Sequence, residues 1–331
     1  MTTALGVARH LVPAPSMKDM LFHTRRFPVT PGPVARRYEG VSRAVLEGFE
    51  CGADLRDPAE IAARLEWVDP FYRSLACEGA VAALALRDLM SPRRRSRAVE
   101  FTRGPGAPHA LLAYVGFGLA LSRLPRPLWR RALPRLELAE PLLAHLSWLA
   151  VDGYAFDLAF FDPERWIVRR EPAPRYRWEG RSDYFGRAFD QGVGRAVSFY
   201  HAGDFDAVAA TIGGFEPERR GDLWSGAGAA IGYLGGPDRA GLLRVLAAAG
   251  PHVPDLAIGV VMAAEARQHA GYVPENTELA AEVVCGADAA TVAALAVQTA
   301  QDPPDPAGLP AYEQWRLRIR DRFSELAVVP R

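Results

Sequence analysis

The sequence predicts a mostly α-helical protein, an N-terminal helical part packed on a C-terminal array of helical hairpins. Three observations carry this. Apolar residues recur at helical spacing over most of the chain. Asp-Pro pairs stand where helices should begin. And the C-terminal third repeats one pattern at a period of roughly 33 residues, in the range of TPR-like helical hairpins. In that repeat, Asp222-Leu-Trp-Ser-Gly226-Ala-Gly228 aligns with Asp255-Leu-Ala-Ile-Gly259, and Gly192-Val-Gly194 aligns with Gly226-Ala-Gly228. Turn signals follow each first helix: Ala202-Gly203-Asp204, Gly235-Gly-Pro-Asp238 and Gly271-Tyr-Val-Pro-Glu275.

The elements follow in order. Residues 1–33 hold five prolines, with Leu21, Phe22, Phe27 and Val29 needing burial, so the segment reads as an arm lying on the body. Val34, Tyr38, Val41, Val45 and Phe49 mark a helix. Asp57-Pro58 opens the next, with Glu60 placed to complete a capping box. Asp69-Pro70 opens a third that runs through Met90. The basic stretch 92–97 reads as a solvated loop, with a phosphate or an acidic carrier as the functional alternative. Arg103-Gly-Pro-Gly106 leads through His109 into an apolar helix over 110–124, and Pro125, Pro127 and Pro134 then break the chain around Trp129. Segment 147–161 is ambiguous. Asp152-Gly153 between apolar runs signals a hairpin, while the surroundings favour two helices joined by a glycine turn. Residues 166–183, rich in Pro, Arg and Trp, form the connector between an N-terminal region 1–165 and a repeat region 184–331. The latter ends in an amphipathic helix bearing Tyr312, Trp315, Ile319 and Phe323 on one face.

A chain of 331 residues that is 49% hydrophobic buries a full core. The 39 basic and 39 acidic residues cancel, which gives no long-range attraction to nucleic acid. Lys18 is the single lysine, and with the heavy Ala, Gly and Pro usage this reads as the coding bias of a high-GC actinomycete. Cys51, Cys77 and Cys285 fit neither a disulfide framework nor a zinc site and read as buried thiols in a reducing cytosol. No secretory layout opens the chain, and its longest apolar run, residues 110–121, is shorter than the about 20 residues a membrane span needs. The expectation is a soluble cytoplasmic protein without a transmembrane segment.

Motifs for cofactors and metals are missing. There is no Gly-x-Ser-x-Gly elbow, no Walker loop, no Cys-x-x-Cys, no Asp-Asp-x-x-Asp and no Glu-x-x-His. Gly226-Ala-Gly-Ala-Ala-Ile-Gly232 resembles a dinucleotide loop only superficially, since no strand precedes it, and close helix packing explains it better. The expectation is no metal and no cofactor. The densest set of proton-transfer groups is His145, Asp152 and Asp157, with Tyr154 beside them. Acids in such apolar surroundings gain pKa and suit general acid–base work; the structural alternative is that Asp152 and Asp157 cap helices. Candidate binding residues are His109, Tyr154, Asp190, Gln191, Trp224 and Tyr233. Against Asp190 stands a plain Arg187–Asp190 pair at i, i+3.

Together, Phe27-Pro-Val29, Gly48-Phe-Glu50, Cys77-Glu-Gly-Ala80, Gly104-Pro-Gly106, Tyr114-Val-Gly-Phe-Gly118, Ser147-Trp-Leu-Ala-Val-Asp-Gly-Tyr154, Asp190-Gln-Gly-Val-Gly194, Asp222-Leu-Trp-Ser-Gly226 and Tyr272-Val-Pro-Glu275 resemble the UnbL-type proteins, a family of unknown function (number 1702) found in enediyne biosynthetic clusters of actinomycetes. The resemblance implies a role in making or maturing the enediyne polyketide core. It implies a conjugated polyene ligand, free or on an acyl-carrier domain, and other enediyne cassette proteins as partners. Two readings follow. One is an enzyme catalysing a cofactor-independent maturation step, which needs a deep pocket with convergent acids. The other is a helical-repeat scaffold or chaperone, which needs an open concave face lined by Trp224 and Tyr233.

Overall fold

The computed structural model describes residues 16–90, 96–132, 143–302, 304–305 and 308–328. Among them every regular element is helical. The arm supplies the one-turn helices Met17–Met20 and Phe22–Arg25. The longer elements are α1 (Pro33–Asp54), α2 (Pro58–Leu65), α3 (Pro70–Met90), α4 (Arg97–Arg103), α5 (Ala110–Ser122), α6 (Leu149–Phe161), α7 (Phe185–Tyr200), α8 (Phe205–Gly213), α9 (Pro217–Leu234), α10 (Arg239–Ala249), α11 (Val253–His269), α12 (Glu275–Ala280), α13 (Ala289–Ala300) and α14 (Ala311–Val328).

Local chemistry sets most boundaries. Asp57 accepts from the Ala59 N–H at 2.9 Å, Asp69 from Phe71 at 2.9 Å, Asp238 from Gly241 at 2.8 Å and Asp288 from Thr291 at 2.7 Å. Each satisfies a backbone donor that the first helical turn leaves without an intrahelical acceptor. At the far end of α9, Gly235 takes φ 70°, a left-handed region that favours glycine. Its carbonyl accepts from the Tyr38 hydroxyl at 3.0 Å.

Seven helices make an arc in chain order, each packed on the one before: α1, α3, α5, α6, α7, α9 and α11. Its two ends meet. Arg37 of α1 donates to the Leu234 carbonyl at 3.0 Å, and Arg267 of α11 donates to the Phe71 carbonyl at 2.8 Å. The helices are pressed together through glycine. A Cβ on Gly48 would lie 1.8 Å from the Ala76 carbonyl oxygen, one on Gly116 2.2 Å from that of Glu78, and one on Gly118 2.3 Å from that of Ala150. The repeat has the same cause. Its aligned glycines Gly192, Gly226 and Gly259 each lie against a carbonyl of the preceding arc helix, those of Asp152, Gln191 and Ser225. Gly194 and Gly228 lie against the next one, at Leu223 and Leu256. The run 226–232 is thus a packing surface within α9.

Segment 147–161 ends a short 3-10 helix at Trp148 and then forms one continuous helix, α6, in place of two helices and a turn. Gly153 sits within it because the backbone of α5 passes there: a Cβ would meet the Val115 oxygen at 2.2 Å. Asp152 and Asp157 lie inside α6 and cap nothing; their charges are met by arginines from other helices. The 166–183 stretch packs through its aromatics, as its composition predicts. Trp166 and Trp178 are buried, and Tyr176 lies 4.7 Å from Trp129. Phe22 and Phe27 of the arm are buried against Phe160. Of the basic stretch, residues 92–95 lie outside the described set, as do residues 1–15 of the arm.

Candidate functional site

The arc encloses a chamber of about 150 Å³ to which all seven helices contribute side chains. A single buried water needs about 10–15 Å³ on this measure, so the space takes a string of atoms. On α6 the lining residues run from Leu149 through Asp152 and Phe156 to Phe160, one helical face. That stripe is about 17 Å long at 1.5 Å per residue. Most of the wall is aliphatic or aromatic: Val41, Val45 and Phe49 of α1, Leu111, Val115 and Leu119 of α5, Phe199 of α7, and Met262 and Ala266 of α11.

Few polar groups interrupt it, and some of their atoms, Glu78 Oε2 and the Tyr233 hydroxyl among them, are buried without a hydrogen-bond partner. Glu78, on α3, is 2% exposed, and its Oε2 makes no hydrogen bond. Burial pushes its pKa up to about 8; the nearby Arg195 guanidinium opposes this, and the Asp152 and Asp157 carboxylates add to it. Close to neutral pH its carboxyl therefore holds a proton that it can release, the condition for a general acid or base. Arg195 of α7 is hydrogen-bonded to Asp152 of α6 and stacks 4.4 Å over the Phe156 ring. Asp157 is bound by Arg123 at 3.0 Å. Burial raises the pKa of both aspartates, while Arg195 and Arg123 respectively pull them back down.

Gln191 and Tyr312 also face the chamber and tie it to a buried ionic network. Gln191 donates to Asp222 at 2.9 Å and to the Tyr184 hydroxyl at 3.2 Å, and accepts from Tyr312 at 3.3 Å. Behind them Arg316 reaches Glu313 at 2.7 Å and Asp222 at 3.1 Å. Arg187 reaches Asp222 at 2.8 Å and Glu313 at 2.7 Å. Two guanidiniums thus meet two carboxylates, and the terminal helix α14 is locked onto α7 and α9. The Arg187–Asp190 pair expected from their spacing is not formed: Asp190 is held by Arg219 at 2.7 Å.

Of the sequence candidates, the fold brings Asp152, Asp157, Gln191 and Tyr233 to the chamber. It places His109 in a separate pocket with Ser74. Tyr154 packs edge-on against Trp129 at 4.7 Å, and Asp190 and Trp224 are buried away from the chamber wall. The side chain of His145 lies outside the described residues. Cys77 is buried, and desolvation lifts its thiol to about 12, far from a thiolate nucleophile. Among the described residues no three His, Cys, Asp or Glu side chains converge on a metal position.

Sequence reasoning passed over Glu78 and Arg195. The available signal was slight: Glu78 is the lone charge in a stretch from Ser74 to Leu86 that is buried throughout.

A family model described as "Protein of unknown function (DUF1702)" matches residues 4–323. The chain belongs to this family. Neither a curated protein nor a solved structure matches the chain significantly. The family description assigns no activity. The stretch Arg239–His269 is long and apolar enough to cross a membrane by composition alone; α11 within it is one of the arc helices around the chamber.

Proposed function

We propose that this family member is an UnbL-type enediyne biosynthesis protein whose chamber binds a conjugated polyene intermediate of the polyketide core. In this reading Glu78 moves protons on it. The observation that carries the proposal is the buried Glu78 carboxyl, its Oε2 without a hydrogen-bond partner, in the wall of a long apolar space. An oxygen with no bond to break is free to act on whatever enters. Protonated Glu78 donates its proton to one carbon of the conjugated segment. The carboxylate so formed removes a proton from another carbon, and the double bonds shift between the two. The residue ends as it began, the atoms balance, and no added redox agent is needed. The Arg195–Asp152 pair keeps a positive guanidinium near the transient Glu78 carboxylate and supports it electrostatically.

The test is incubation of the purified protein with the polyene released by its synthase, followed by absorption spectra and mass spectrometry. Conversion to an isomer of unchanged mass, lost in Glu78→Gln, is the expected result. Unchanged polyene retained by both proteins would assign the chamber to storage or delivery, alone or from an acyl-carrier domain. Absence of binding and conversion alike would overturn the proposal.

A further inference from the structure

A second pocket lies outside the chamber, walled by Arg73 and Ser74 of α3, His109, Arg267 of α11 and Tyr272. Its centre of charge is unusual. Arg267 is 1% exposed, and its guanidinium is sandwiched 3.7 Å from the Tyr233 ring and 4.7 Å from Phe71. Two of the five N–H donors of an arginine are used, on the Phe71 and Tyr233 carbonyls at 2.8 and 2.6 Å. Its Nε–H is buried without a partner. Among the described residues it forms no ion pair, and the groups that favour its charge are the tyrosines Tyr233, Tyr272 and Tyr72, none of them a carboxylate. A buried cation without a counter-charge is costly to keep.

The neighbours do not supply that charge. Arg73 is paired at 2.9 Å with Glu66, which is two-thirds exposed, and its own Nε–H is buried and unpaired. His109 shares a hydrogen bond of 2.9 Å with Ser74, and burial together with the positive charge of Arg73 and His269 drives its pKa down to about 4. At neutral pH the imidazole is therefore uncharged, and the pocket carries net positive charge with N–H and O–H donors on several sides.

We infer that this pocket is a binding site for an oxyanion, a carboxylate or phosphate group, held by Arg267 and Arg73 with Ser74 and Tyr272 as hydroxyl partners. The planar fork of an arginine matches both groups. Two sources share this chemistry, a small free anion and the anionic end of a larger molecule. The pocket also shares a wall with the chamber: Ser74 adjoins Leu75, Arg267 adjoins Ala266, and Tyr233 stacks on Arg267 while lining the chamber. The site itself does not depend on what fills the chamber.

The experiment is a thermal-shift and calorimetric titration of the full chain with inorganic phosphate, decanoate and decanol, against chloride at matched ionic strength. The expected result is a saturable stabilisation by phosphate or decanoate that chloride does not give. Arg73→Gln and Arg267→Met should each weaken it about tenfold or more, the loss expected for a charge-assisted hydrogen bond. Arg267→Met removes buried packing and stands to unfold the protein, so Arg73→Gln decides the matter if it does. Tighter binding of decanoate than of both phosphate and decanol would identify the anion as the end of an apolar ligand; binding of phosphate alone would identify a free anion. No response to either oxyanion beyond that to chloride, or an undiminished response in Arg73→Gln, would overturn the inference.

Discussion

Glu78 and Asp152 sit in the same chamber under the influence of the same guanidinium, that of Arg195, yet only Asp152 is hydrogen-bonded to it. The two carboxyls thus differ in what the fold has given them. Asp152 has a fixed partner, while Glu78 has an unsatisfied Oε2 and an elevated pKa. Burial raises the pKa of both carboxyls, but only Asp152 has the guanidinium hydrogen-bonded to it to favour its charged form.

That difference predicts a pH dependence of stability. The pKa of Glu78 in the folded chain, about 8, lies above its unreacted value of 4.5, so the folded state binds this proton more tightly than the unfolded state does. Its contribution is intact below the unfolded pKa and is lost as pH rises through the window from 4.5 to about 8. Glu78→Gln removes the effect, because the amide cannot ionise. The unfolding free energies of variant and parent should converge near pH 4.5 and separate in favour of the variant toward pH 8, by on the order of a few kcal/mol. Calorimetry across that range checks it; parallel curves would show that Glu78 does not titrate there.

Asp152→Asn should shift that window. The substitution removes a negative charge that raises the Glu78 pKa and releases Arg195 to turn toward Glu78. Both changes favour the Glu78 carboxylate, and its pKa should fall by about one unit or more. Comparing Asp152→Asn with the Asp152→Asn, Glu78→Gln double variant over the same pH series isolates the shift.

Gly228→Ala should disrupt the arc at the α9–α11 contact. The new methyl would lie 2.0 Å from the Leu256 oxygen, and backbone has no rotamer with which to give way. The expected loss is roughly 3 kcal/mol or more, at the severe end for a point change. Gly213→Ala, at a helical position with nothing within 4 Å of the added methyl, should instead stabilise by about 0.5–1 kcal/mol through helix propensity. Urea denaturation of the two variants measures both.

Arg316→Met should loosen the terminal helix. Arg316 is buried and bonded to Glu313, Asp222 and Tyr184, and removing one member of such a set costs roughly 3–5 kcal/mol. The exposed pair Arg239–Glu282 is the contrast, since Arg239→Met should change stability by less than about 1 kcal/mol. Hydrogen exchange should show faster exchange across α14 in Arg316→Met and unchanged exchange there in Arg239→Met.

Much of the local structure was legible in the residues. Asp57-Pro58 and Asp69-Pro70 mark helix starts because a carboxylate two residues ahead of an open N–H is a local arrangement, complete within a few residues. The glycines of the repeat were legible as packing positions for a similar reason, since a helix interior tolerates them only when something presses close. Segment 147–161 was harder. Asp152-Gly153 carries a turn signal, and its outcome depends on α5, whose Val115 carbonyl occupies the space a side chain would need.

The sequence by itself determined a mostly helical fold, the starts of α2 and α3 and the glycine stripes that press neighbouring helices together, because each rests on contacts within a turn or on a repeated spacing. Only the tertiary structure decided that the arc helices close around a chamber, that Asp190 faces Arg219 instead of Arg187, and that Glu78 stands in the chamber wall with its Oε2 lacking a hydrogen-bond partner. Those outcomes depend on which face of each helix turns inward and on which arginine arrives from a helix tens of residues away. No local spacing encodes that choice.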